Sequence, residues 1–438
     1  MPPDHPRRPS TRQGPRRFAG DLEATRIIPS GGGRHAKHAR PEPPRRRPRR
    51  ATTLGRTAVA LAACGVLAAT GLAWSGAQTV QNAFHTSDAL DGAPRSTGAA
   101  ENILLIGLDS RKDRNGNDLP PDVLAQLHAG DGQEGGYNTN TLILVHVPAD
   151  GKNITAFSIP RDDYVPVVGI DGYDHAKIKE AYGLKKAQTE QHLIDAGVTD
   201  QATLESRSRD AGRAETLQTV RALTGVPIDR FAEVSLVGFY DITKALGGVQ
   251  VCLNHAVSDS YSGAHFAAGV HTLNAAQALA FVRQRHGLDN GDLDRTHRQQ
   301  AFLLSVTHAL SSSGVFGDLN KLDALVTVAQ RDVTLSAGWN VVDYAHRIGD
   351  INGQSTRFTT LPVQRYDTID GQDVNIIDPT AIRTQVQTAF GLIPPAPTSA
   401  DPRPSVEALS GTATTGVDPT PDQGAPVTTS AFGVPCVD

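Results

Sequence analysis

The sequence predicts an α/β protein, with a mixed central sheet between helix layers and one transmembrane helix ahead of it. Three observations carry this. Short runs rich in Ile, Leu and Val recur along the chain. Segments of helical period alternate with them. An uncharged stretch long enough to cross a bilayer precedes them all.

That uncharged stretch is "TAVALAACGVLAATGLAWSG", residues 57–76, and no charged residue follows it until Asp88. About 20 helical residues at ~1.5 Å each span the hydrocarbon core. Before it, residues 1–56 hold 15 Lys and Arg against 4 Asp and Glu, a net charge of +11. The other 382 residues hold 27 against 42, a net charge of −15. The arm is rich in Pro, Arg and Gly and has too few apolar residues for a core, so it is expected to be disordered. Such a block can be a nucleic-acid tail. The span beside it favours another reading: the positive-inside rule puts the arm in the cytoplasm and the acidic body outside, away from nucleic acid. A cleaved signal peptide is the alternative, although a leader of this length is unusual. The expected organisation is an arm over 1–56, a transmembrane helix over 57–77, a linker over 78–100, a folded domain over 101–392 and a Pro/Thr-rich disordered tail over 393–438.

Within the domain, "NILLIGLD" reads as a buried strand that stops at Asp109. "TLILVHV" and "ITAFSI" read as two more strands, joined as a hairpin by the short turn "PADGKN". Residues 176–222 read as mainly helical. After them come a strand "FAEVSL", a helix "FYDITKALGG" stopped by glycines, a strand "VQVCL", a short helix "NAAQALAF" and a long amphipathic helix "THRQQAFLLSVTHAL". Two cysteines, Cys252 and Cys436, lie outside the span, and in an oxidising compartment they permit a single disulfide, which would pin the tail beside "VQVCL". No zinc spacing, phosphate loop, dinucleotide fingerprint or nucleophile elbow occurs.

The densest chemistry lies in "FVRQRHGLDNGDLDRTHRQQAF", 281–302, where Arg283, Arg285, Arg295 and Arg298 stand among Asp289, Asp292 and Asp294 between apolar ends. If "LAFVRQR" is extended, Arg283 and Arg285 share a face. If a helix begins near Asp294, Arg295 lies in its first turn, where free N–H groups favour anions. Arg161 follows a buried strand in "SIPRDD". Arginine forks suit phosphate, so the set reads as a phosphate or diphosphate site; surface Arg–Asp pairs are the competing reading. Asp109, at a strand end, is either a cap on the next turn or a ligand in a metal or phosphate site.

Taken together, "NILLIGLDSR", "NTNTLILVHV", "SIPRDDYVPV", "KIKEAYG", "VPIDRFAEV", "ALGGVQVCL" and "LAFVRQRHGLDNGDLDRTHRQQ" make the chain resemble the LytR–CpsA–Psr family of cell-envelope glycopolymer ligases, most closely its actinobacterial members. The resemblance covers about 101–312. It implies transfer of a polyprenyl-diphosphate-linked glycopolymer onto peptidoglycan at the cytoplasmic membrane, with Mg²⁺ as cofactor. It places Asp109 at the metal, and Arg161, Arg283, Arg285 and Arg295, together with Arg298 and Gln299 of the family's Arg–Gln pair, at the diphosphate. Members commonly have Arg-x-Asp-Thr where this chain has Asn138-Thr139-Asn140-Thr141. Asn140 is therefore expected to be a weaker, neutral Mg²⁺ ligand.

Overall fold

A computed structural model describes residues 84–130, 136–288, 291–312, 319–340, 344, 356–394 and 434–438. The basic arm, the 57–77 span and most of the tail lie outside these residues. Among those described, no helix is long and apolar enough to cross a membrane.

In chain order the elements are β1 (His85–Ser87), β2 (Glu101–Asp109), α1 (Pro121–Gln126), β3 (Asn138–Val147), β4 (Ile154–Ile159), β5 (Tyr164–Pro166), β6 (His175–Lys177), α2 (Glu180–Asp195) and α3 (Gln201–Thr224). Next come β7 (Arg230–Ser235), α4 (Leu236–Leu246), β8 (Val249–Leu253), β9 (Val257–Asp259), β10 (Ala264–Phe266), β11 (Gly269–Leu273), α5 (Ala275–Arg283) and α6 (Asp292–Ser312). The rest are α7 (Leu319–Asp332), β12 (Val333–Ser336), β13 (Thr356–Thr360), β14 (Arg365–Ile369), β15 (Gln372–Ile376), α8 (Pro379–Ala389) and β16 (Cys436–Val437).

The central sheet has seven strands in the order β1-β12-β7-β2-β3-β4-β13. It is mixed: β2 is parallel to β7 and antiparallel to β3, while β4 is antiparallel to β3 and parallel to β13. Alternation along β2 supplies both faces. Leu104 and Ile106 join Leu217, Val220 and Ile382 from α3 and α8 on one side. Ile103 and Leu105 pack with Val333, Leu335 and Trp339 on the other. The helices start and stop where their sequences direct. Asp200 accepts from the Thr203 amide at the head of α3, and Gly225 ends that helix in the left-handed conformation.

The segment read as a linker joins the body from residue 84 on. β1 pairs with β12, Leu90 is buried, and the carboxylate of Asp229 accepts from the amide and hydroxyl of Ser96. The end of the tail is also ordered. β16 pairs in parallel with β8, and a disulfide joins Cys252 to Cys436.

A buried ion pair ties α3 to the sheet. The Arg213 guanidinium donates to both Glu233 oxygens at 2.9 Å. Burial opposes ionisation of Glu233, but Arg213 and Arg209 outweigh it and hold the carboxyl below its usual range. Removing one member strands the other charge. Glu233→Ala should therefore cost about 3–5 kcal/mol in urea denaturation. The joint replacement Arg213→Met with Glu233→Leu should cost less than the single one.

Candidate functional site

The site forms at one end of the sheet's interior strands. Since β2 and β4 both run antiparallel to β3, the C-terminal ends of β2 and β4 meet the N-terminal end of β3 there. Its local cause is a bulge. Pairing between β2 and β3 shifts after Gly107, from Gly107 with Thr141 to Leu108 with Thr139, which leaves Asn140 as the extra residue. Gly107 permits the close approach, because a Cβ there would lie 2.8 Å from the Thr141 Cβ. The bulge aims Asn140 between two site residues. Its Nδ2 donates to Asp109 Oδ2 at 2.7 Å, and its Oδ1 accepts from Arg161 at 2.9 Å.

Arg161 follows β4 and is largely buried. Its Nε lies 3.2 Å from Asp162 Oδ2 and 3.1 Å from Asp292 Oδ1. Asp292 opens α6 and also faces Arg295 Nη2 at 2.9 Å and Arg285 Nε at 3.8 Å. Asp162 receives Lys179 at 2.6 Å. Burial opposes ionisation of Asp162, but Arg161 and Lys179 hold its carboxyl below the usual range. Arg295 is 4% exposed. Burial, with Arg161 and Arg285 beside it, pushes its guanidinium down to about 9 against the opposing pull of Asp292. A guanidinium keeps its proton in proteins, so the shift marks the cost of burying this cation beside two others. Arg161 Nε, Arg295 Nε and Asp292 Oδ1 are buried and make no hydrogen bond.

The structure thus gathers Asp109, Asn140, Arg161, Arg285 and Arg295. Arg–Asp pairs do form, but in a largely buried cluster rather than over a solvated surface. The other predicted residues sit differently. "LAFVR" is helical, not extended, because Asn274 and Gln277 make a capping box that starts α5, and the helix runs to Arg283. Arg283 and Arg285 are therefore not alternate residues of one strand, although both lie within electrostatic reach of Asp109. Arg283 donates to the carbonyls of Leu127 and His128 at 2.9 and 3.2 Å, while Arg285 stands 45% exposed beside Asp292. Helix α6 begins at Asp292, two residues earlier than expected.

Arg298 and Gln299 do not reach the cluster. Arg298 is fully buried. Its Nη1 donates to Gln284 Oε1 and its Nε to the Asp438 main-chain oxygen, both at 2.6 Å. Gln299 Nε2 faces the Val282 carbonyl at 3.4 Å. Sequence reading missed Asp292 and Asp162 as organisers of the arginines. The signal available was their adjacency, in "RDD" and "GDLDR", to the arginines they hold.

Asp109 brings the hard oxygen donor that Mg²⁺ takes when substrate phosphates and water complete its shell. Among the described residues no group of three His, Cys, Asp or Glu side chains could hold a metal, so phosphate oxygens would have to share the ion. Asn140 does not fit the ligand role expected of it. A guanidinium only donates, so Arg161 fixes the amide oxygen toward itself, and the NH₂ group faces Asp109.

Asp163 lies just behind the cluster with no exposed surface, bonded through Oδ1 to Asn375 Nδ2 at 3.0 Å. Burial raises its carboxyl well above the ordinary value, and Asp162 and Asp292 add to this. A carboxyl raised on folding contributes stability below its unfolded pKa, and that contribution is lost as pH rises through the folded one. Asp163→Asn should therefore gain stability over the parent as pH increases from about 4, read as a melting-temperature difference larger at pH 8 than at pH 5.

A second apolar cluster adjoins the arginines. Helix α4, "LVGFYDITKAL", is strongly apolar, yet Leu236, Val237, Phe239, Tyr240 and Ile242 are only half-buried. With Val306, Leu310 and Leu325 they rim a core built from α1, α5 and β8.

The LytR_cpsA_psr family model matches residues 72–390. The cell wall biosynthesis protein LcpA of Corynebacterium glutamicum is 43% identical over 300 residues, which cover 68% of this chain and 57% of LcpA. The polyisoprenyl-teichoic acid–peptidoglycan teichoic acid transferase TagU of Bacillus licheniformis is 28% identical, over 53% of this chain and 66% of TagU. The chain thus spans somewhat under two thirds of the length of these relatives. The crystal structure of B. subtilis TagV matches 68% of this chain and 100% of its own at 22% identity, with a TM-score of 0.47.

Proposed function

The chain belongs to the LytR–CpsA–Psr family, and on that premise we propose that it transfers a glycopolymer from a polyprenyl-diphosphate carrier onto peptidoglycan, outside the cytoplasmic membrane. The supporting observation is the crowding of Arg161, Arg285 and Arg295 around Asp292 in a largely buried site where Arg295 Nε makes no hydrogen bond. Buried guanidinium groups are costly unless their donors are met, and Asp292 is shared here among three of them. Diphosphate oxygens are suited to the planar guanidinium forks. The half-buried apolar rim of α4 offers the adjoining surface for a prenyl tail.

In this reading an acceptor hydroxyl oxygen bonds to the phosphorus that carries the glycan. The bond from that phosphorus to the polyprenyl phosphate breaks, and the hydroxyl gives up its proton. The product is a phosphodiester, and the diphosphate supplies the driving force where no nucleotide is at hand. The arginines hold the phosphates and meet the charge that grows on the leaving oxygen. Asp109 would hold Mg²⁺ together with the donor's phosphate oxygens. When bound, the ion would neutralise further phosphate charge.

The test is a turnover assay with lipid-linked glycan and peptidoglycan. Glycan appearing on peptidoglycan with release of polyprenyl phosphate supports the reading. Release of inorganic phosphate from the polyprenyl diphosphate alone would make the protein a phosphatase. Binding without turnover would make it a carrier.

A further inference from the structure

Among the described residues the exposed Phe, Trp and Tyr side chains are Tyr173, Tyr261 and Tyr366. Two of these three lie near residues of the arginine cluster. Tyr261 is 78% exposed, and its ring lies 4.2 Å from that of His286, the residue after Arg285. Its turn is fixed by Asp259, which is buried and accepts from the Tyr261 amide at 2.9 Å and the Ser262 hydroxyl at 2.8 Å. His286 Nδ1 lies 3.5 Å from the same carboxylate. A large ring set in water on a fixed turn beside a charged site serves no core.

Tyr366 is 67% exposed and stands on β14. Its cross-strand partner is Asn375, so the two side chains share one face of the hairpin. Asn375 in turn donates from its amide to the Asp162 carbonyl at 2.8 Å and from Nδ2 to Asp163. This fastens the hairpin to the segment that carries Arg161. The carboxylates of Asp292 and Asp294 lie within electrostatic reach of the Tyr366 hydroxyl.

We propose that Tyr261, with His286, and Tyr366 are sugar-stacking platforms that flank the diphosphate site and take the ring faces of the glycan-bearing reactants. The proposal rests on the transferase reading, which brings two carbohydrates to one phosphorus. The C–H face of a sugar ring packs on an aromatic face, and nearby carboxylates accept from its hydroxyls. A tyrosine supplies such a surface at low entropy cost. Both the donor glycan and the peptidoglycan acceptor carry this chemistry.

Three probes separate the sources: geranylgeranyl diphosphate, which has no sugar; the same diphosphate bearing N-acetylglucosamine; and a soluble peptidoglycan disaccharide-peptide. Affinities would be measured for the full chain and for Tyr261→Ala, Tyr366→Ala and the corresponding Phe variants. Each Ala variant should lose about three- to tenfold for at least one sugar-bearing probe. Each should bind geranylgeranyl diphosphate as the parent does, and the Phe variants should restore the loss. The probe that weakens names the sugar seated on that tyrosine. An Ala variant that binds both sugar probes like the parent, or weakens all three alike, overturns the assignment for that residue. Failure of the parent to bind geranylgeranyl diphosphate would instead count against the diphosphate reading, and the disaccharide-peptide arm would still decide the platforms.

Discussion

Arg285→Ala lowers glycan transfer by two to four orders of magnitude with the melting temperature unchanged; this is the expected result, and the geometry of Arg285 explains both halves. The side chain is 45% exposed, and its ion pair with Asp292 is loose at 3.8 Å, so the fold owes it little. Toward a diphosphate it can offer two charge-assisted hydrogen bonds of roughly 1.5–3 kcal/mol each. Their joint loss corresponds to about 10²–10⁴ in rate. Arg285→Lys keeps the charge without the fork and should lose about ten- to hundredfold, the weight of one such bond. Transfer at the parent rate by a folded Arg285→Ala protein would remove Arg285 from the site.

Arg298→Ala should act the other way, on the fold first. Arg298 is fully buried, packs 5.1 Å from the centre of the Phe281 ring, and joins Gln284 to Asp438. Its removal leaves two acceptors without their donor, at about 1–3 kcal/mol each, and a cavity besides. A loss of about 3–5 kcal/mol is expected in urea denaturation. Activity should fall as well, because Gln284 sits between Arg283 and Arg285 and donates to the His286 carbonyl at 3.1 Å. Cys252→Ser, which unties β16, should reproduce part of both effects. An Arg298→Ala protein as stable as the parent would show that this buried bridge holds nothing.

The part of the fold legible in the sequence is the part in which residues near in sequence make the structure. The Ile and Leu runs of β2, β3 and β4 announce strands buried on both faces, and the mixed sheet follows from the hairpin between β3 and β4. The arginines stood out because dense charge lay between Phe281 and Phe302, both buried. What stayed hidden depends on distant partners. Arg298 reads like its neighbours until Asp438 arrives 140 residues later. Asn140 reads as a ligand until the bulge turns its oxygen to Arg161. The strands from β12 to β15 and the helices α7 and α8 escaped notice. β14 and β15 are largely exposed and polar, and such strands give little periodic signal. The extended reading of "LAFVR" failed because a capping box and an alanine-rich run favour helix over the β-branched character a strand would need.

The pairing of β16 with β8 also sets an order of events during synthesis. Cys252 is made 184 residues before the cysteine that it joins. At about 5–20 residues per second, that interval is roughly 10–40 s. Once α6 has been made, β8, α5 and α6 exist while Arg298 has no Asp438 oxygen to hold. The loop bearing Arg285 thus waits on the last stretch of chain for its full bracing. A nascent chain stalled between Ile376 and Cys436 would have its sheet strands made and Arg298 without its Asp438 partner, so this brace behind the Arg285 loop is added late, after the sheet that supports it.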